Sequence, residues 1–142
     1  MAISKIFVAY DGSDHSKRAL EMAKNFVVLD SKIQVDIVNV APIPALSGMQ
    51  TDHLAEIIDM MIDDGTSVLH EAQDIMKDFS DQINTYLLKG ASPALEIIKM
   101  IEAGDYDFAI VGSRGLSGIR EFMGSVSYKI LHEAKIPVMV TD

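Results

Sequence analysis

Between positions 112 and 127 the chain reads Gly112-Ser113-Arg114-Gly115-Leu116-Ser117-Gly118, five further residues, then Gly124-Ser125-Val126-Ser127. Glycines let a backbone approach a ligand closely and turn successive N–H groups inward, which makes a nest for an anion. Gly124-Ser125 stands where a helix begins, and the free N–H groups and positive dipole end of a helix suit a phosphate. Ser125 and Ser127 add hydroxyl donors, and Arg114 and Arg120 supply formal positive charge. The same residues also read as a flexible loop before an ordinarily capped helix, and the segment alone leaves both readings open. It is not a Walker A loop, since no Gly-Lys-Ser/Thr follows the glycines. Nor is it the dinucleotide fingerprint, which would open the chain's first βα turn.

Other chemistry is scarce. The chain has no cysteine, which excludes disulfides, Cys-ligated metals and a thiol nucleophile. His15, His53, His70 and His132 fall on three predicted helices without metal-ligand spacing. No Gly-x-Ser-x-Gly elbow is present. Asp11-Gly12-Ser13 breaks the first apolar run and places a carboxylate at a strand end, where it would accept from hydroxyls or serve local turn and capping chemistry.

Five short apolar runs must carry these residues. Ile6–Tyr10, Val35–Val40, Ile83–Leu88, Phe108–Val111 and Val138–Val140 read as strands, nearly continuous in hydrophobicity, as strands covered on both faces are. Helical spacing lies between them. Ser13 caps a first helix carrying Ala19, Leu20, Ala23, Phe26 and Val27, and a long helix covers roughly 51–79, softened in its middle by Gly65. Ser92-Pro93 opens a third helix to Ala103, closed by Gly104, and Ser125–Ala134 forms the last. Strict β-α-β alternation predicts an α/β fold: three layers, α/β/α, around a five-stranded parallel sheet. In such a sheet ligands settle beyond the carboxyl ends of the strands.

The 142 residues suit one domain spanning 1–142, with no repeat or linker. Net charge is −9, and residues 52–81, with nine acids and one base, hold −8 of it. That balance argues against nucleic acid, and the acidic stretch reads as the solvated face of the long helix. The N-terminus carries no leader pattern and no apolar run approaches a membrane span, so a cytoplasmic protein is expected, with no membrane partner.

In this order the motifs resemble the universal stress protein family over essentially the whole chain. The resemblance rests on Asp11-Gly12-Ser13 after the first strand, a second strand ending near Val40, Gly112-x2-Gly115 and Gly124-Ser125 after the fourth, and the closing Ile136-Pro137-Val138-Met139-Val140. It implies an adenine nucleotide alpha hydrolase-like (Rossmann-like) fold binding an adenine nucleotide, ATP or else ADP or AMP, with Mg2+ accompanying the phosphates, in a regulatory stress-response role. By the same resemblance Asp11 approaches the ribose or a nucleotide-bound Mg2+, and backbone at Val40 reads the adenine edge. Val111 and Gly112 flank base and ribose, and Arg114, Gly115, Gly124, Ser125 and Val126 hold phosphates. Val40 and Val111 read equally as plain core, since only their backbone would bind.

The chain departs from the family pattern at one point, because eight residues separate Gly115 from Gly124 where the pattern has nine. That spacing favours the alternative, a nucleotide-independent dimeric interaction protein of the same fold. A nucleotidyl transferase would need a His pair after the first strand, and Asp11-Gly12-Ser13-Asp14-His15 lacks it. With no evident base or nucleophile, ATP hydrolysis is expected to be slow at most. The resemblance also implies a homodimer, and the short, apolar, terminal strand 138–140 is the edge that would pair.

Overall fold

The structure, a computed structural model, describes residues 2–43, 51–114 and 124–142. Its strands are β1 (Lys5–Ala9), β2 (Gln34–Pro42), β3 (Ile83–Gly90), β4 (Phe108–Gly112) and β5 (Val138–Thr141). Its helices are α1 (Asp14–Val27), α2 (Thr51–Ile75), α3 (Pro93–Ala103) and α4 (Ser125–Glu133), with a 3-10 segment at Lys77–Gln82. All pairings are parallel, in the order β3-β2-β1-β4-β5. This is the predicted five-stranded α/β sheet.

Each strand faces two cores, which is why the strands read as unbroken apolar runs. Ile6, Val8, Tyr10, Val35, Ile37 and Ile110 pack under α1 and α2 with Leu20, Ala23 and Leu69. Phe7, Val38, Ala109 and Val111 pack on the opposite face with Ile97, Ile101 and Ile130 of α3 and α4. Helices therefore cover both sides. The acids from Glu56 to Asp74 are exposed on α2, as the charge pattern predicts.

Two local expectations change. The long helix stops at Ile75, and the chain turns through the 3-10 segment with Phe79 at φ −124°. Gly65 does not soften α2; it is buried, and a Cβ there would lie 2.5 Å from Leu87 Cδ1 and 3.0 Å from Asn39 Oδ1. The glycine thus allows α2 to lie close on β2 and β3. No helix among the described residues is long and apolar enough to cross a membrane.

Candidate functional site

β1 and β4 are neighbours at the centre of the sheet, but the helices that follow them lie on opposite faces, α1 on one and α4 on the other. In parallel sheets, a parting of this kind beyond the strand ends is where ligands settle. Asp11, Val40, Val111, Gly112, Arg114 and Gly124 lie at or just past the carboxyl ends of β1, β2 and β4, and Ser125 and Val126 open α4.

Asp11 follows β1. Its Oδ1 accepts from the Ser13 N–H at 2.9 Å and the Ser16 hydroxyl at 2.9 Å. Ser13 caps α1, its hydroxyl accepting from the Ser16 N–H at 3.2 Å. Asp11 therefore does perform local turn chemistry, while Oδ2 takes no hydrogen bond among the described residues. Between them Gly12 adopts φ 84°, the left-handed region, with no atom nearer to an added Cβ than Val68 Cγ2 at 3.9 Å. Gly12→Ala should therefore lose about 1 kcal/mol through backbone strain alone, measurable as a small shift in urea midpoint.

On β2, the last pair with β1 is Ala9↔Val38, and the Tyr10 N–H donates to the Val38 carbonyl at 2.9 Å. Backbone groups alternate sides along a strand, so Val40 turns its amide edge the way Val38 does, past the point where β1 has left the sheet. The Tyr10 carbonyl is taken by Asn39 Nδ2 at 2.8 Å. Below this level the Tyr10 hydroxyl donates to Glu71, which also meets Lys17 at 3.5 Å. The tyrosine's hydrogen bond, then the nearby lysine, hold the Glu71 carboxyl below its ordinary range despite some burial.

At the end of β4, Val111 is core and Gly112 is buried. A Cβ on Gly112 would stand 2.8 Å from the His15 carbonyl carbon and 2.9 Å from the Ser16 nitrogen, so α1 starts against this glycine. The Gly124 N–H donates to the Ser113 carbonyl at 2.7 Å, and the Ser127 hydroxyl donates to the Gly112 carbonyl at 2.5 Å. These two bonds pin the start of α4 to the end of β4. Gly124 occupies the N-cap with no side-chain cap, so nothing on its own side chain covers the first N–H groups of α4. Ser125 is exposed there, and Val126 is half-buried against the α3-side core. Gly115 and the eight-residue spacer lie outside the described residues.

Four participants were not legible as such. Ser127 is buried and structural, tying α4 to β4. His15 and Ser113 meet across 98 positions, His15 Nδ1 to Ser113 Oγ at 3.3 Å, and Arg114 Nε donates to His15 Nε2 at 3.2 Å. Thr141, at the end of β5, donates to the His15 carbonyl at 3.0 Å. No spacing rule marks such a long-range cluster.

The fold defines a class: a parallel α/β protein with helices on both faces of the sheet, in which α1 and α4 start beyond the neighbouring ends of β1 and β4. Residues 2–142 match the model of the Universal stress protein family, and the chain belongs to that family. It is 28% identical over 146 residues to universal stress protein YxiE of Bacillus subtilis, covering 96% of this chain and 97% of the relative. Its fold superposes on universal stress protein UspA from Lactobacillus plantarum with TM-score 0.85 at 18% identity, over 100% and 99% of the two chains. The universal stress protein from Archaeoglobus fulgidus in complex with dAMP is similar with TM-score 0.71 at 22% identity, over the full length of both chains.

Proposed function

We propose that this chain binds an adenine nucleotide, ATP with Mg2+, in the crevice at the ends of β1 and β4, and that the bound state serves a regulatory role in stress response. The observation that carries this reading is the start of α4, which no side chain caps among the described residues, held at the end of β4 by the Gly124–Ser113 bond. Free helix N–H groups beside backbone that approaches closely are what a phosphate needs. The A. fulgidus relative's complex with dAMP supports the adenine preference. Arg114 supplies positive charge, Val40 an amide edge for the base, and Asp11 its Oδ2, which takes no hydrogen bond among the described residues, for a ribose hydroxyl or for water on the phosphate-bound Mg2+. Val111 and Gly112 form the floor beneath base and ribose. Gly115 completes the phosphate cradle with Ser125 and Val126 in this reading.

Calorimetry with ATP and Mg2+ tests it directly. The unsubstituted protein should bind, and Gly124→Val, which sets a branched side chain over the helix start, should weaken ATP at least about tenfold. Full-strength binding by the variant would discredit the cradle. A protein that binds no adenine nucleotide, and whose melting temperature ATP leaves unchanged, would favour the second reading, a nucleotide-independent interaction protein, which the eight-residue spacer supports.

The homodimer belongs to the same proposal. β5 pairs only with β4 and is an edge of the sheet, and an apolar recess lined by Ile3, Phe26, Phe108, Pro137, Val138 and Met139 lies beside it. Pairing of two β5 edges would cover both.

A further inference from the structure

We infer that His15 is the positioning residue for Arg114: a neutral imidazole that fixes the guanidinium in orientation without cancelling its charge, so that Arg114 meets the phosphates of the bound nucleotide. This rests on the nucleotide reading above and adds a residue that reading does not contain.

The geometry determines the imidazole's state. An arginine Nε carries a hydrogen in every form the residue adopts in a protein, so in the 3.2 Å contact it is the donor and His15 Nε2 the acceptor. Nε2 is therefore unprotonated. The proton of a neutral ring then sits on Nδ1, which donates to Ser113 Oγ at 3.3 Å. The ring is gripped from both ends, and its backbone is gripped as well, since the His15 carbonyl accepts from Thr141 and the Ser113 N–H donates to the Thr141 carbonyl at 2.7 Å. His15 is thus held by α1, by the end of β4 and by the end of β5.

The identity of the acceptor matters. Arginines in folded proteins are commonly fixed by carboxylates, which also neutralise them. Here the acceptor is uncharged, and Arg114 takes part in no ion pair among the described residues. One of its five donors is spent on orientation, leaving the two terminal amino groups to form a bidentate contact with an oxyanion. In a chain of net charge −9, a cation with no carboxylate partner among the described residues, whose neighbour Ser113 holds the start of α4, is arranged for an anion.

The test compares ATP with adenosine, which shares the base and ribose but lacks the phosphates. His15→Ala should weaken ATP roughly tenfold and leave adenosine within about twofold, because only a charged ligand feels Arg114. His15→Gln, whose side-chain oxygen restores an acceptor, should recover most of the ATP affinity. Arg114→Ala should lose as much as His15→Ala, and the double variant no more than either alone. In the ligand-free protein, 15N NMR should place His15 in the Nδ1–H tautomer. Equal losses for adenosine and ATP, additive effects in the double variant, a gain in ATP affinity on removing His15, or an Nε2–H tautomer would each overturn the assignment. If the unsubstituted protein binds neither compound, the nucleotide reading fails first and this role falls with it.

Discussion

Replacing Gly112 with alanine should lower the melting temperature by about 8 °C, through a loss of about 2–3 kcal/mol. Gly112 needs no special dihedral angles, since Gly12 holds the one positive φ among the described residues. What it needs is absence of bulk. An added Cβ would lie 2.8 Å from the His15 carbonyl carbon, 2.8 Å from His15 Cβ and 2.9 Å from the Ser16 nitrogen. Two of these are backbone atoms in the first turn of α1, so no side-chain rotation relieves the contact. The helix must shift as a body, against a core containing Ala19, Leu20 and Ala23, all without solvent exposure. The same shift would carry His15 away from Ser113 and disturb the crevice. Gly112→Ala should therefore cost more than Gly12→Ala, although alanine at Gly12 is the one under backbone strain. Thermal and urea denaturation of the two variants decide the order; equal or reversed losses would mean that α1 yields easily.

The contrast between these two glycines also shows what a sequence can carry. The five strands and four helices were legible because two-sided burial writes itself as unbroken apolar runs, and amphipathic helices write a stripe. Ser13 and Ser92 were legible as caps because capping is local, and both accept from the N–H three residues on. Gly112 was legible as a glycine in a suggestive motif. Its close approach to His15 was not, because nothing in the 96 intervening residues states that α1 starts against the end of β4. Gly65 was misread for the same reason: in a helix pattern it looks like weakness, and only the position of Leu87 makes it a fit. Ser127 read as a hydroxyl donor near the helix start, and its bond to the Gly112 carbonyl required the fold. The candidate site was thus legible as a motif only, while the contacts across the chain that fix Gly112 and Ser127 were not.

Asp36 supports the sheet away from the candidate site, toward the amino end of β2. A carboxylate in the middle of a strand is 2% exposed, in register with Phe7 of β1 and Asn84 of β3. Its Oδ2 accepts from the Tyr106 hydroxyl at 2.6 Å, its Oδ1 accepts from Asn84 Nδ2 at 3.2 Å, and Lys5 Nζ stands 3.9 Å away. Tyr106 packs its edge against Phe7, with Lys5 over its ring. Asp36→Leu leaves the buried tyrosine hydroxyl without an acceptor and should cost about 2–3 kcal/mol. Tyr106→Phe should cost about 1.5–3 kcal/mol, as loss of a hydrogen bond to a charged group does. The double variant removes both ends of the bond and should be more stable than the sum of the singles predicts, by about 1–2 kcal/mol.

A second measurement isolates the tyrosine. Burial, then the hydrogen bond to Asp36 and that group's negative charge, push the Tyr106 hydroxyl well above its ordinary range. A group whose folded pKa is raised contributes stability that is complete below its unfolded value, near 10, and lost as pH rises beyond it. Tyr10, raised by burial and by Glu71, behaves likewise. Above about pH 10 each tyrosine should therefore remove about 1.4 kcal/mol of stability per pH unit, and Tyr106→Phe should flatten that decline by one tyrosine's share. An unchanged alkaline slope in Tyr106→Phe would show that the hydroxyl is not held buried against Asp36 in solution. The double-variant coupling should then vanish too, because a hydroxyl that leaves its buried place near the amino ends of β1 and β2 also loses its bond to Asp36.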